Sequence, residues 1–139
     1  MFVLDTNVVS ELRKVRSGKA HPGVADWAGD VPSALMFLSA ITIHELELGV
    51  LLLERSDPAQ GAILRMWLDE SVTAAFVDRL VPVDEVIARR AAALHVPDPA
   101  PFRDALIAAT ALVGGMTVVT RNVKDFERFN GLEVLNPWT

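Results

Sequence analysis

Four acidic residues in this chain stand where side chains can act together on a ligand. Asp5 ends the apolar run Phe2-Val3-Leu4 and is followed by Thr6-Asn7. Glu45 closes Thr42-Ile43-His44-Glu45 after a second β-like run, and Asp125 closes Thr120-Arg121-Asn122-Val123-Lys124-Asp125 after another. Asp104 opens an apolar helical stretch, Phe102-Arg103-Asp104-Ala105-Leu106-Ile107-Ala108. Each acid also has a purely local reading. Thr42 with Glu45 has the spacing of a capping box, and Asn122 with Asp125 a looser version of it. Asp5 suits an N-cap, and Asp104 a first helical turn, where the macrodipole favours a carboxylate.

The four positions together point to a shared site. In an open parallel sheet, ligands gather at the carboxyl ends of the strands. Asp5, Glu45 and Asp125 follow strands directly. A helix returning to the start of the next strand has its amino end at that same rim, which brings Asp104 there too. Two carboxylates about 4 Å apart repel by roughly 4 kcal/mol at an effective dielectric of about 20. Such a cluster needs a cation or a raised pKa to coexist. With oxygen donors alone, the fitting ion is Mg²⁺ or Mn²⁺, and the chemistry it supports is attack of water on phosphorus.

The elements that must position these acids alternate between strand and helix. Phe2–Asp5 reads as a strand and Thr6–Lys14 as a short helix; a second helix opens at Pro22 and runs to about Asp30. Leu35–Ile41 reads as the second strand, followed by a helix from Thr42 to about Arg55. Asp57-Pro58 opens a helix carrying Ile63, Leu64, Trp67 and Leu68 at helical spacing, and a short helix covers Val72–Asp78. Leu80–Val83 is the third strand, with Pro82 marking it as a sheet edge, and Glu85–His95 a helix. After Pro97, Pro99 and Pro101 comes a helix over Arg103–Val113, stopped by Gly114-Gly115. Met116–Thr120, a helical turn at Lys124–Phe129, and Leu132–Leu135 complete the pattern. Alternation of this kind predicts one α/β domain over 1–139, a parallel sheet between two helical layers in an α/β/α arrangement.

Composition narrows the function classes. Of 139 residues, 51% are hydrophobic and 22% charged, enough for a buried core. The absence of cysteine removes disulfides, thiolate metal sites and cysteine nucleophiles. No apolar run reaches the ~20 residues that cross a bilayer, and no basic-then-apolar leader is seen, so a soluble cytoplasmic protein is expected. The net charge of −5 opposes a protein that coats nucleic acid electrostatically, yet suits a nuclease whose acids hold cations against a phosphate. Rival motifs fail: Leu48 stands where the zinc-protease pattern begun by His44-Glu45 requires its second His. Asn7 stands where an aspartyl-phosphate phosphatase would need its general acid, and no P-loop, dinucleotide fingerprint or nucleophile elbow is present.

These residues resemble a known family. Phe2-Val3-Leu4-Asp5-Thr6-Asn7-Val8-Val9-Ser10-Glu11-Leu12 looks like the opening of PIN-domain toxins of the VapC type, particularly the FitB-like branch. So does Ser39-Ala40-Ile41-Thr42-Ile43-His44-Glu45-Leu46-Glu47-Leu48-Gly49. Asp104-Ala105-Leu106-Ile107-Ala108-Ala109-Thr110-Ala111 is similar to the helix carrying the family's third acid, and Thr120-Arg121-Asn122-Val123-Lys124-Asp125-Phe126 to its closing motif.

The resemblance implies a five-stranded parallel sheet in the order 3-2-1-4-5 and Mg²⁺-dependent cleavage of RNA, with Mn²⁺ as substitute. It also implies a homodimer, and a small VapB/FitA-like antitoxin that binds operator DNA and forms a heterotetramer or larger assembly with the toxin. By position Asp5, Glu45 and Asp104 inherit the metal-binding acids. Relatives often carry an acid where this chain has Asn122, so either Asn122 or Asp125 lines the site, with Asp125 favoured at its outside. Asp5 and Asp104 then hold the principal ion and Glu45 orients or deprotonates the attacking water. Thr6, Asn7, Thr120 and Asn122 support the acids by hydrogen bonds, or else make ordinary turn and cap bonds.

Arg121 is the better candidate for an RNA contact; Arg13, Lys14, Arg16 and Lys19 form the one basic cluster, either a phosphate contact or a solvated loop. His21, His44 and His95 read as surface or packing residues, and the Ile63-Leu64-Trp67-Leu68 stripe as core or dimer surface, with an antitoxin groove as the minor reading. The alternatives in function are a related nuclease for RNA processing or DNA without an antitoxin, and a catalytically silent binding module.

Overall fold

A computed structural model describes residues 1–139. β1 (Phe2–Leu4), β2 (Met36–Ser39), β3 (Leu80–Val81), β4 (Thr117–Val119) and β5 (Val134–Leu135) form one five-stranded sheet in the order β3-β2-β1-β4-β5. Every adjacent pair is parallel. The registers Phe2↔Met36, Val3↔Val118 and Leu4↔Val119 align the ends of the three central strands.

Helices cover both faces, as a parallel sheet requires to bury its strands. Strand alternation sorts the apolar side chains between two layers. Leu4, Met36, Leu38 and Val119 face a layer built from α1 (Thr6–Leu12), α2 (Pro22–Asp30), α3 (Ala40–Ser56), α4 (Pro58–Met66) and α5 (Thr73–Ala75). Val3 and Val118 face Ala105, Ile107, Ala108 and Ala111 of α7 (Phe102–Gly114). Beside α7, toward the β3 edge, lies α6 (Glu85–Ala93), whose Ile87 and Ala91 pack on Leu106 and Ala109 with Val81 against them. α7 can lie close to the sheet because its run of alanines leaves little between backbone and strands. No helix is long and apolar enough to cross a membrane.

Several boundaries differ from the sequence expectation, each for a local reason. β2 stops at Ser39, whose hydroxyl accepts the Ile41 N–H and caps α3. Thr42 is therefore inside the helix and not its cap, so the Thr42–Glu45 capping box does not form. Thr42 is fully buried and its hydroxyl has no hydrogen-bond partner. Asn122 makes no side-chain cap either; its own N–H donates to the Thr120 hydroxyl at 3.0 Å.

The helix expected at Val72–Asp78 is instead the end of one continuous run from α4. The run passes through a π-helical turn, Trp67–Val72, whose Leu68 and Val72 are both buried in the core, before α5 ends it. β3 is only two residues long, and Pro82 stands just beyond it, not within it. The edge position inferred from Pro82 nevertheless holds. α7 closes on Gly115, whose φ of 65° and left-handed conformation suit a residue without Cβ. Of the Ile63-Leu64-Trp67-Leu68 stripe, Leu68 is core, Leu64 and Trp67 lean on it, and Ile63 is exposed.

Candidate active site: three acids around one guanidinium

Asp5 leaves β1 as the N-cap of α1, in extended conformation, with Oδ1 accepting the Thr6 N–H at 2.7 Å. The capping role is therefore real, but it uses only part of the carboxylate. Oδ2 accepts the Thr120 hydroxyl at 2.7 Å and the Asn7 amide at 3.3 Å. Thr120 reaches it because β4 lies beside β1 in register and Thr120 follows β4 as Asp5 follows β1. Asp5 is 1% exposed and Thr120 is fully buried. Asn7 extends the link, accepting the Arg121 N–H at 3.2 Å.

Glu45 lies in the second turn of α3, half-buried, where its Oε1 accepts the Thr6 hydroxyl at 2.5 Å. Asp104 lies in the first turn of α7 and is buried. The three acids, scattered over a hundred residues of sequence, meet at one residue that the sequence reading did not single out. Arg103 donates Nε to Glu45 Oε2 at 2.5 Å and Nη1 to Asp104 Oδ1 at 2.7 Å, and Nη2 to Asp5 Oδ1. Partial burial opposes its charge, but the hydrogen bond it donates to Glu45, the charge of Asp5 and the bonds it donates to Asp5 and Asp104 prevail and hold its pKa above the ordinary arginine value. The signal in the sequence was a lone cation directly before the third acid, in a helical turn bound for an acidic rim.

Burial raises the Asp104 carboxyl above the usual aspartate range; Arg103 opposes this, while the charges of Asp125 and Asp5 add to it. Asp125 is thus within electrostatic reach of Asp104, but it is exposed in the turn Val123–Asp125 and makes no ion pair or hydrogen bond with the other acids. Asn122 is exposed and joins the cluster only through its N–H on Thr120. Arg121 is exposed beside the cluster, its guanidinium 5.6 Å from the Trp138 ring centroid.

The remaining polar features fall outside the cluster. His21 caps α2 by accepting the Gly23 N–H, His95 accepts the Ala100 N–H, and His44 is exposed on α3. Arg13, Lys14, Arg16 and Lys19 are exposed at and after the end of α1; Lys14 pairs with Glu11, and Arg13 lies 5.9 Å over the Trp67 ring.

As the side chains stand, no three acids close on a single point in the manner of an ion site; they surround the edge of a guanidinium. The donor set is nonetheless what a hard divalent ion takes, carboxylate oxygens with hydroxyls behind them, already assembled around a positive charge. Chemically, such an arrangement can hold a cation against a phosphate and place a carboxylate beside attacking water.

Known proteins share both the sequence pattern and the fold. The PIN domain family model matches residues 2–132. The plasmid stability protein StbB of Pseudomonas syringae is 38% identical over 99% of both chains, and the toxin FitB of Neisseria gonorrhoeae is 35% identical over 99% of both. The ribonuclease VapC14 of Mycobacterium tuberculosis is 51% identical over 55% of this chain and 71% of its own length. Among solved structures, FitAcB from Neisseria gonorrhoeae superposes with a TM-score of 0.87 at 33% identity, over 99% of each chain. A FitAB complex bound to a DNA fragment gives the same score at 32% identity, over 100% of this chain and 96% of the other. A sheet ordered 3-2-1-4-5, acids at its carboxyl rim and a family match spanning nearly the whole chain agree: this protein belongs to the PIN-domain family.

Proposed function

We propose that the protein is a Mg²⁺-dependent endoribonuclease, the toxin of a toxin–antitoxin pair, acting in the cytoplasm. The observation that carries this reading is the meeting of Asp5, Glu45 and Asp104 around one cationic group at the carboxyl rim of the sheet. Relatives named ribonuclease and toxin support it.

Asp5 and Asp104 would hold the ion, Mg²⁺ or in its place Mn²⁺. A divalent ion held there supplies positive charge against the phosphate and makes water a stronger acid. Glu45 Oε2, the oxygen that meets the guanidinium, takes a proton from the attacking water, while the Thr6 hydroxyl on Oε1 fixes the carboxylate's orientation. Thr120 and Asn7 hold Asp5 Oδ2, so Oδ1, which accepts the Thr6 N–H and faces Arg103, is the oxygen that would be presented to the ion. Asp125 adds negative charge from the outside of the cluster, Asn122 steadies Thr120 through its backbone, and Arg121 receives the RNA backbone. A small VapB/FitA-like antitoxin and a second copy of the chain are the partners that go with this reading.

The test is cleavage of RNA by purified protein with EDTA and then with excess Mg²⁺ or Mn²⁺. Chelation is expected to stop cleavage and either ion to restore it; undiminished cleavage under EDTA would refute the assignment. Co-expression with the neighbouring open reading frame tests the toxin role, through rescue of growth and mapping of the cut RNAs.

A further inference from the structure

We infer that Arg103 is a built-in counter-cation that occupies the acidic centre in the ion-free protein and must leave it for a divalent ion to bind. The inference rests on the metal-dependent reading above and adds a regulatory residue to it.

The oxygens that an ion would need are already engaged. Asp5 Oδ2 is committed to Thr120 and Asn7, while Oδ1, which accepts the Thr6 N–H, is the oxygen that faces the other acids, and Arg103 Nη2 sits on it. Both oxygens of Glu45 are taken, Oε1 by the Thr6 hydroxyl and Oε2 by Arg103 Nε. Nη1 holds Asp104 Oδ1. An ion drawing on Asp5 and Asp104 therefore competes with a guanidinium that holds those two carboxylates through two nitrogens and Glu45 through its third.

A guanidinium and a divalent ion crowded onto the same carboxylates repel each other. A planar guanidinium also spaces its partners around its edge, where a small ion draws them to a point. That spacing accounts for the lack of any three-acid group closed on one point. Arg103 has a way out, because its side chain is 32% exposed while those of Asp5 and Asp104 are 1% and 9% exposed. It stands in the first turn of α7 with solvent on one side, so it can swing clear without moving the helix. The guanidinium thus keeps the carboxylates assembled and offsets part of their charge without an ion, at the cost of weaker ion binding.

The experiment measures Mn²⁺ binding to the full chain by calorimetry and electron paramagnetic resonance, without RNA. Wild type is compared with Arg103→Gln, Arg103→Lys and, as a control for general electrostatics, Arg121→Gln. Arg103→Gln is expected to bind Mn²⁺ at least tenfold more tightly, and to melt at lower temperature than wild type in EDTA. Arg103→Lys, with one charge and no fork, should fall between the two, and remains informative if the Gln variant does not fold. In wild type, the Arg103 Nε–H resonance should shift on adding Mg²⁺ as its bond to Glu45 breaks.

Equal or weaker Mn²⁺ binding in both Arg103 variants overturns the inference, as does equal tightening in Arg121→Gln, which would make the effect one of net charge. Failure of every form, wild type included, to bind Mn²⁺ overturns the metal-dependent reading itself.

Discussion

Replacing Asp5 by Asn or by Ala separates its two roles. In Asp5→Asn, the side-chain carbonyl still caps α1, since Asn and Asp are about equally good N-caps. The Thr120 hydroxyl can rotate to accept from the new amide. Folding stability should stay within about 1 kcal/mol of wild type. In Asp5→Ala, the cap is lost, worth about 1 kcal/mol. The buried Thr120 hydroxyl and the Arg103 guanidinium also lose an acceptor, adding about 1–3 kcal/mol. The sum, about 2–4 kcal/mol, corresponds to a fall in Tm of roughly 6–12 °C for a chain of this length.

Cleavage should suffer equally in both variants. A neutral amide cannot replace a carboxylate under an ion, and the loss should exceed the 10–100-fold typical of an outer hydrogen-bond partner. Urea titration and a fluorogenic RNA assay in Mg²⁺ measure the two effects on the same samples. Wild-type cleavage by Asp5→Asn, or wild-type stability of Asp5→Ala, would refute the reasoning.

Four further outcomes follow from the same structure. Thr6→Val should lower cleavage 10–100-fold by freeing Glu45 while moving stability by no more than about 1 kcal/mol, so an unchanged turnover would remove Thr6 from the site. Thr42→Val replaces a buried hydroxyl that has no partner by a methyl, and should be neutral or stabilising by up to about 1 kcal/mol; clear destabilisation in chemical denaturation would reveal a bonded hydroxyl. Gly61→Ala puts a Cβ 2.5 Å from the Glu54 Cα and should cost about 1–3 kcal/mol, with cleavage per folded molecule unchanged; full stability would mean that α3 and α4 part easily. The folded-state pKa of Asp104 is raised, so the folded protein binds more protons than the unfolded chain from about pH 4 upward. Without divalent ions, the stability of wild type relative to Asp104→Asn should therefore fall as pH rises through that window, and a difference in denaturation midpoint that grows with pH would contradict it.

The acidic rim was legible because it depends only on order along the chain. In a parallel sheet, residues that follow strands share one edge, and the amino end of the helix feeding a strand joins them, so Asp5, Glu45 and Asp104 needed no knowledge of packing. The edge position of β3 came from the missing N–H of Pro82, a property of one residue. Less accessible was anything decided by competition between neighbours. Ile41 continues an apolar run and reads as strand, yet Ser39 already caps α3 and Ile41 packs on the α7 side of the sheet. The π turn at Trp67–Val72 adds a residue to one turn of the run, and its apolar residues Leu68 and Val72 keep ordinary helical spacing, so the pattern carries no sign of it. Arg103 was overlooked because a cation beside an aspartate reads as a helix-surface residue until three distant carboxylates are known to surround it.

The placement of β1 bears on the order of events during synthesis. The strand made first lies in the middle of the sheet, between partners that begin at Met36 and Thr117. Asp5 is therefore made 115 residues ahead of the Thr120 hydroxyl that fixes its second oxygen. Under the proposed function, a nascent chain carries its first acid without a working centre. The cell thus has the time taken to make the intervening residues in which to supply a restraining partner.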